Sequence, residues 1–478
     1  MLAPCDTAEA GVVSRSFRDP AGTVLRSAGR ILRAVEPGSV AELEAFLATQ
    51  AAHSATEASR LVTSTRLSSS EASALNLRCE AIFEHEPIPF PSYAHEWPPE
   101  MLAAAGSLTL ELFLSALQEG FGLKDATPYN VLFRGPQPVF VDVLSFERRQ
   151  PRDATWRAYA QFVRTFLLPL AAHRYFGVSP ADVFAGKRDG LEPGDLYRWA
   201  GFWKRLTPPL VSLVTLPKWM GGKASAETYH PKPAASPEQA QFILDHLLRS
   251  CEKQLKRVAP PPRVESVWTG YLVHKYLYSA AQLEAKERFV REALDLAGPR
   301  AVLDVGANEG RFSFLAAQRG ASVVAVDNDP AVVGTIWRHA HDQNLDVLPL
   351  VVDLTRPTPA IGWRNQECNS FLQRAQGHFD MVMMLAVLHH MLVTERVPLE
   401  ELLGLAAELT LDYLLIEFVA PSDPMFQRIV RGREALYHHL TFERFEAAAG
   451  AHFDLVKSLK IEGLHRCLYL FRLRRAIG

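Results

Sequence analysis

At 478 residues the chain is about three times the length of a common domain, so two or three domains are expected. Hydrophobic residues make up 48%, charged residues 22% and aromatic residues 10%, a balance that excludes a disordered or fibrous chain. Fifty-one Lys and Arg against 53 Asp and Glu leave a formal charge of −2, so the chain is not a strongly basic nucleic-acid binder, and no nucleic-acid partner is expected. Cysteines 5, 79, 251, 368 and 467 form no Cys-x-x-Cys pair or disulfide framework, which fits a reduced, cytoplasmic interior. Met1 to Asp6 lack the basic start and apolar run of a secretory signal, and no charge-free apolar stretch reaches membrane-spanning length.

Residues 1–150 mix short strand-like runs with helices and read as an α+β region. A hairpin is expected over 22–35 and a helix over 106–117. The stretch from Gly122 to Phe133 holds Asp125 and, five residues on, Asn130; a strand follows and ends at Asp142. This spacing resembles the catalytic loop and metal-binding Asp of protein kinases and aminoglycoside kinases, and the resemblance extends over about 15–255. It implies a degenerate kinase-like site in which Asp125 orients a hydroxyl while Asn130 and Asp142 hold Mg²⁺ on ATP phosphates. The sequence departs from that pattern, because no Lys precedes Lys124 and no Gly-rich loop is visible. Arg33 is the substitute cation, although Arg and Lys are not interchangeable there. The alternative is that Asp125 and Asn130 form turns and Asp142 ends a buried strand.

Residues 151–257 are mainly helical in pattern and continue the N-terminal unit, with one long helix expected over 156–175. The stretch 196–222 mixes Trp199, Trp203 and Trp219 with basic residues and an apolar run. A helical hairpin packed on its neighbour is the main reading, and contact with a membrane surface is the lesser one. Pro-rich sequence marks a loop at 231–237 and a linker at 258–265.

From 266 to 478 the pattern changes. A helix is expected over 268–296, and strands over 301–305, 322–326, 347–352, 379–387 and 413–418 alternate with amphipathic helices, giving a mostly parallel α/β sheet. A closing hairpin over 453–473 makes the last strand antiparallel. Asp329-Pro330 supplies a helix N-cap and first-turn proline. Gly306 and Gly310 lie where the first strand turns into a helix, and Asp327 ends the second strand, where a carboxylate accepts both hydroxyls of a ribose. Dinucleotide folds share this logic. Three features point away from them: the spacing Asp-x-Gly-x-x-x-Gly, a carboxylate at Asp304 suited to a cationic amino group, and the terminal hairpin.

The runs LDVGANEGRFS, VVAVDNDP, DLTRPTPAIGW, MLAVLHHM and LLIEFV together resemble the class I S-adenosylmethionine-dependent methyltransferases, closest to the nodulation-protein-like bacterial group. That resemblance implies a Rossmann-like fold over 266–478 and S-adenosyl-L-methionine as cofactor. It further implies that Asp304, Gly306, Asn308 and Gly310 contact the methionine part, Asp327 the ribose, and Asp353 with Leu354 the adenine. Ala307 and Glu309 depart from the commoner Cys and Thr of that group.

A sulfonium is already an activated methyl donor, so a general base helps only where the acceptor must lose a proton. His389, His390 and Glu417, near the carboxyl ends of strands, are the candidates for catalysis. Each has a structural alternative: a helix cap or core packing for the histidines, a structural hydrogen bond for Glu417. Trp363 is read either as lining an acceptor pocket or as core. His339 with His341, and His438 with His439, lack a third ligand at metal spacing, so no metal is expected. The expected function is methyl transfer to a small-molecule or glycan acceptor, with the N-terminal region in acceptor recognition. A bifunctional kinase-methyltransferase and a non-catalytic cofactor-binding scaffold are the alternatives.

Overall fold

The hairpin expected over 22–35 forms as β2 (Gly22–Ser27) and β3 (Arg30–Val35), paired antiparallel around Gly29 at φ 78°. The structure, a computed structural model, describes residues 14–15, 18–27, 29–75, 81–220, 233–262 and 278–474. The chain divides into two units: Met1–His95 with Pro99–Pro261, and Glu96–Pro98 with Pro262–Gly478.

In the first unit, β1 (Ser14–Arg15), β4 (Ser64–Arg66) and β5 (Ala81–His85) join that hairpin in a five-stranded antiparallel sheet of order β1-β2-β3-β5-β4. Alternation along the strands turns Leu25, Leu32, Ala34 and Ile82 into one apolar cluster. Helix Pro99–Gln118 extends the helix expected over 106–117 and is apolar around most of its circumference. It is long and apolar enough to cross a membrane (mean hydropathy 1.4), but 67% of that stretch is buried inside the protein. Gly106 sits where a Cβ would come within 3.2 Å of Phe166 and 3.3 Å of Leu255, so the missing side chain admits helix Pro237–Val258 at close range. Two short antiparallel pairs follow: β6 (Phe121–Leu123) with β9 (Phe146–Arg148), and β7 (Val131–Arg134) with β8 (Gln137–Phe140). The long helix expected over 156–175 is interrupted by a π turn, Val163–Leu167, between Tyr159–Phe162 and Leu168–Phe176. There the Arg164 carbonyl accepts from Leu191 N (3.0 Å) instead of staying within the helix alone.

The second unit is built on a seven-stranded sheet of order β12-β11-β10-β13-β14-β16-β15. Its strands are β10 (Ala301–Val305), β11 (Ser322–Asp327), β12 (Val347–Val351), β13 (Phe379–Met384), β14 (Thr410–Val419), β15 (Phe453–Lys460) and β16 (Arg466–Leu473). β10 to β14 run parallel, whereas β16 lies antiparallel between β14 and β15. Apolar side chains such as Val302, Val323, Met381, Leu415 and Leu468 meet Phe289, Val290 and Leu294 of helix Ala280–Ala297 in the core. That helix starts at a Ser279–Gln282 capping box; residues 268–277 of the helix expected there lie outside the described residues, as do 263–265 of the linker. Asp329 caps helix Pro330–Gln343 by accepting from Ala331 N, with Pro330 in the first turn. The strand expected over 379–387 ends instead at Met384: Ala386 takes φ 60°, and helix Leu388–Val393 begins directly after Val387.

Candidate active site

The turn after β10 is shaped by its glycines. Gly306 and Ala307 both donate to the Val326 carbonyl, at 2.9 and 3.0 Å, which folds the loop over the end of β11. Gly306 takes φ 69°, and a Cβ there would lie 2.7 Å from Val387 Cγ2, so no side chain fits between the loop and the end of the fourth parallel strand. Gly310, at φ 81°, begins helix Arg311–Ala317; a Cβ on it would sit 2.8 Å from the Phe314 ring. Asn308 between them also takes a positive φ, 51°.

Asp304 lies beneath this loop, buried, and accepts from the Ser313 hydroxyl at 2.6 Å. Burial pushes its carboxyl up from the ordinary 3.8 to about 6; the Ser313 hydrogen bond and the Lys286 charge oppose that rise. Asp327 at the end of β11 accepts from Asn308 N (2.9 Å) on one oxygen and Asp329 N (3.0 Å) on the other. Two backbone donors therefore aim the carboxylate and tie it to the glycine loop. Burial raises its pKa, against the pull of those same hydrogen bonds. Asp353, past β12, accepts from Thr355 N (2.9 Å) and from the Thr355 hydroxyl (2.5 Å), and pairs with Arg356 at 3.1 Å. The Leu354 side chain beside it is buried. The loop set Asp304, Gly306, Asn308, Gly310 and Asp327 is thus gathered around the carboxyl ends of β10 and β11, and Asp353 and Leu354 follow the adjacent strand.

His389 and His390 occupy the first turn of helix Leu388–Val393, their ring centroids 4.3 Å apart. His389 is 2% exposed, and neither ring nitrogen has a hydrogen-bond partner among the described residues. Burial holds its pKa well below the usual imidazole value, helped by the charges of His390, Arg466 and Lys286. His390 is less deeply buried, and burial with the Arg466 charge lowers its pKa too. Both shifts favour the uncharged ring, more strongly for His389 than for His390.

Glu417 on β14 is wholly buried in a charged network. Lys286 Nζ donates to Oε2 at 2.5 Å and the Tyr278 hydroxyl donates to Oε1 at 2.7 Å. Arg466 donates to the Tyr278 oxygen at 2.6 Å and forks onto Asp423 at 2.8 and 3.0 Å. Burial pushes the Tyr278 hydroxyl well above its ordinary pKa, and the Glu417 charge adds to the effect. Burial also lowers the Lys286 pKa, while Glu417 opposes that shift. The sequence reading found Glu417 but missed Lys286, Tyr278, Arg466, Asp423 and Ser313. A lysine on an amphipathic helix and an arginine in an edge hairpin both read as solvent-facing, so no local signal marked them. Trp363 is 63% exposed in a short turn, Trp363–Asn365, and is not core. A cleft of about 380 Å³ opens where helix Leu388–Val393 ends, lined by Leu392, Arg396, Arg433, Leu436, Tyr437 and His439 among others.

In the first unit Asp125, Asn130 and Asp142 are brought together. Asn130 Nδ2 donates to the Asp125 carbonyl (3.2 Å) and to Ser145 Oγ (3.1 Å), and Ser145 donates to Asp142 Oδ2 at 2.6 Å. The other Asp142 oxygen lies 2.9 Å from Arg33 Nη1, and Arg33 Nε donates to His85 Nε2 at 3.2 Å. Burial raises the pKa of Asp125, and the nearby Asp142 charge adds to it.

Residues 303–403 match the family model for a methyltransferase domain. The whole chain is similar to nodulation protein NoeA of Rhizobium meliloti (strain 1021), with 29% identity over 467 residues, 96% of each chain. Among solved structures, the N-methyltransferase NodS of Bradyrhizobium japonicum WM9 is 12% identical with a TM-score of 0.31, covering 41% of this chain and 99% of that one. The bifunctional kinase-methyltransferase WbdD is 17% identical with a TM-score of 0.32, covering 47% of this chain and 46% of its own.

Proposed function

We propose that this chain, which carries a methyltransferase domain over residues 303–403, uses S-adenosylmethionine in its second unit to methylate a small-molecule or glycan acceptor that the first unit recognises. The observation that carries the site assignment is the pair of backbone hydrogen bonds from Asn308 and Asp329 to Asp327, which pre-aims a half-buried carboxylate beside a turn with no room for a Cβ at Gly306 or Gly310. The residues fit the cofactor. Asp304 would hold its amino group, Asp327 the ribose hydroxyls and Asp353 with Leu354 the adenine, while Gly306, Asn308 and Gly310 would give it backbone access. The cofactor supplies a methyl group already activated by its sulfonium, so the protein's task is to align the acceptor and remove its proton.

In this reading His390 takes that proton, since its surroundings favour the uncharged ring and it is less buried than His389. His389 backs it by packing. Glu417 is a positioning residue: both its oxygens are engaged by Lys286 and Tyr278, which suits an anchor rather than a base. In the first unit Arg33 and Ser145 engage both oxygens of Asp142, which favours recognition over phosphoryl transfer. The test is mass spectrometry of a cell extract incubated with isotopically labelled donor and the full chain. One species should gain label with the unaltered protein and none with Asp327→Ala; the absence of any labelled species, or equal labelling by the variant, refutes the proposal.

A further inference from the structure

Seven of the sixteen large apolar side chains that stand exposed among the described residues fall between positions 199 and 220. Trp203 is 79% exposed, Met220 76%, Phe202 66% and Trp219 63%, with Leu206 and Leu216 beside them. They belong to one platform rather than to separate loose turns. Helices Pro193–Trp199, Phe202–Arg205 and Leu216–Met220 are fastened together at three points. The Trp219 indole N–H donates to the Tyr197 hydroxyl at 3.5 Å, the Thr215 hydroxyl donates to the Arg205 carbonyl at 2.7 Å, and the Arg205 guanidinium lies 3.9 Å over the Tyr197 ring. Burying these side chains in water-free surroundings is worth roughly 25 cal/mol per Å², and the protein leaves that gain unused.

The charge on the platform identifies its occupant. The run 196–220 holds Arg198, Lys204, Arg205 and Lys218 and no acidic residue; the neighbouring Asp195 is buried and paired with Arg198 and Lys187, so the exposed charge of the platform is positive. Two copies of such a face would set like charges against each other, which opposes a symmetric dimer. A nucleic acid would satisfy the charge but would leave Leu206, Leu216 and Met220 with nothing to stack on. Tryptophans and aliphatic side chains rimmed by Lys and Arg match the boundary between anionic headgroups and acyl chains. We propose that residues 196–220 dock the protein reversibly on an anionic lipid bilayer. This inference stands apart from the methyl-transfer reading, since neither the donor site nor the acceptor enters it.

The experiment is vesicle flotation with the full chain, using phosphatidylcholine vesicles with and without phosphatidylglycerol. The unaltered protein should float with the anionic vesicles and not with the neutral ones, and added salt should weaken the association. The double variant Trp203→Ser, Trp219→Ser should lower binding at least about tenfold, and Lys218→Glu should lower it on anionic vesicles. Both side chains are mostly exposed and only Trp219 makes a hydrogen bond within the platform, so the melting temperature should fall little; if the double variant unfolds, Trp203→Ser alone and the salt series on the unaltered protein decide. Failure to float with anionic vesicles, indifference to salt, or a concentration-dependent dimer abolished by the double variant would overturn the proposal.

Discussion

Lys286 Nζ lies 2.5 Å from Glu417 Oε2, with the two side chains 1% and 0% exposed. A buried ion pair of this kind offsets most of its own desolvation cost, so it contributes little net stability while both partners are present. Removing one partner is different. Lys286→Met should lower stability by about 3–5 kcal/mol by leaving Glu417 charged and less well paired, whereas Lys286→Met with Glu417→Leu should recover most of the loss. Urea denaturation of the single and double variants measures this. A single variant as stable as the parent would show that the pair does not form.

Asp327→Ala should weaken donor binding by about 1.5–3 kcal/mol, through loss of charge-assisted hydrogen bonds to the ribose. The loss should fall at the upper end, because Asn308 N and Asp329 N also lose their acceptor and the glycine loop loosens. Asp327→Asn retains one carbonyl oxygen and should lose less. Isothermal titration with the donor's demethylated product reads both values, and unchanged affinity in Asp327→Ala sinks the ribose assignment.

On the proposed placement of the donor, Asp304 should make its affinity depend on pH. Its carboxyl, raised by burial to about 6, is neutral in the empty fold below that value, and a cationic amino group binds best to the ionised form. Affinity should therefore fall as pH drops below about 6, by up to about tenfold per unit. Stability of the empty protein runs the other way. A carboxyl raised above its unfolded value stabilises fully below the ordinary 3.8, and that contribution is lost as pH rises through about 6. Asp304→Asn should flatten both curves, and a pH-independent affinity in the unaltered protein would remove Asp304 from the donor site.

The two histidines should separate by kinetics. His390→Asn should lower kcat by about 100-fold or more while donor affinity stays the same, as loss of a general base does. His389→Phe, which fills the same buried space and removes two unsatisfied nitrogens, should fold normally and retain most activity. Because the His390 pKa is lowered, the acid limb of the kcat profile should lie below the ordinary imidazole value. An inactive His389→Phe with an active His390→Asn would reverse the assignment.

In the first unit, Asp142→Ala should not change donor affinity. It should destabilise the fold by about 3 kcal/mol, because Arg33 is left buried beside an empty position. Radiolabelled ATP with Mg²⁺ should give no specific product. Robust phosphorylation that disappears in Asp125→Ala would make the chain bifunctional.

The turn after β10 was readable because its constraints are local. A strand ending at Val305, glycines at 306 and 310, and a carboxylate closing the next strand are all fixed by the requirements of one tight turn. Asp329-Pro330 likewise announces its helix start within two residues. The network around Glu417 was not readable, because its members come from positions 278, 286, 417, 423 and 466 and meet only when the sheet is assembled. The strand over 379–387 was drawn too long since Leu385, Ala386 and Val387 carry no breaker residue; the turn is imposed by the fold around Gly306, not by its own sequence. The same holds for the π turn at Val163–Leu167, which no residue type within it demands.

The position of β16 bears on how the protein is made. This strand is the last of the described strands in the sequence, yet it sits inside the sheet, between β14 and β15. While the nascent chain is still on the ribosome, β14 must wait with an open edge, and Asp423 and Tyr278 must wait for Arg466. A chain cut short by a premature stop between residues 424 and 465 would therefore leave translation with Asp423 lacking its cation and with the edge of β14 free to pair with another molecule. Such a product should be cleared by proteolysis or aggregate, not persist as a shortened enzyme.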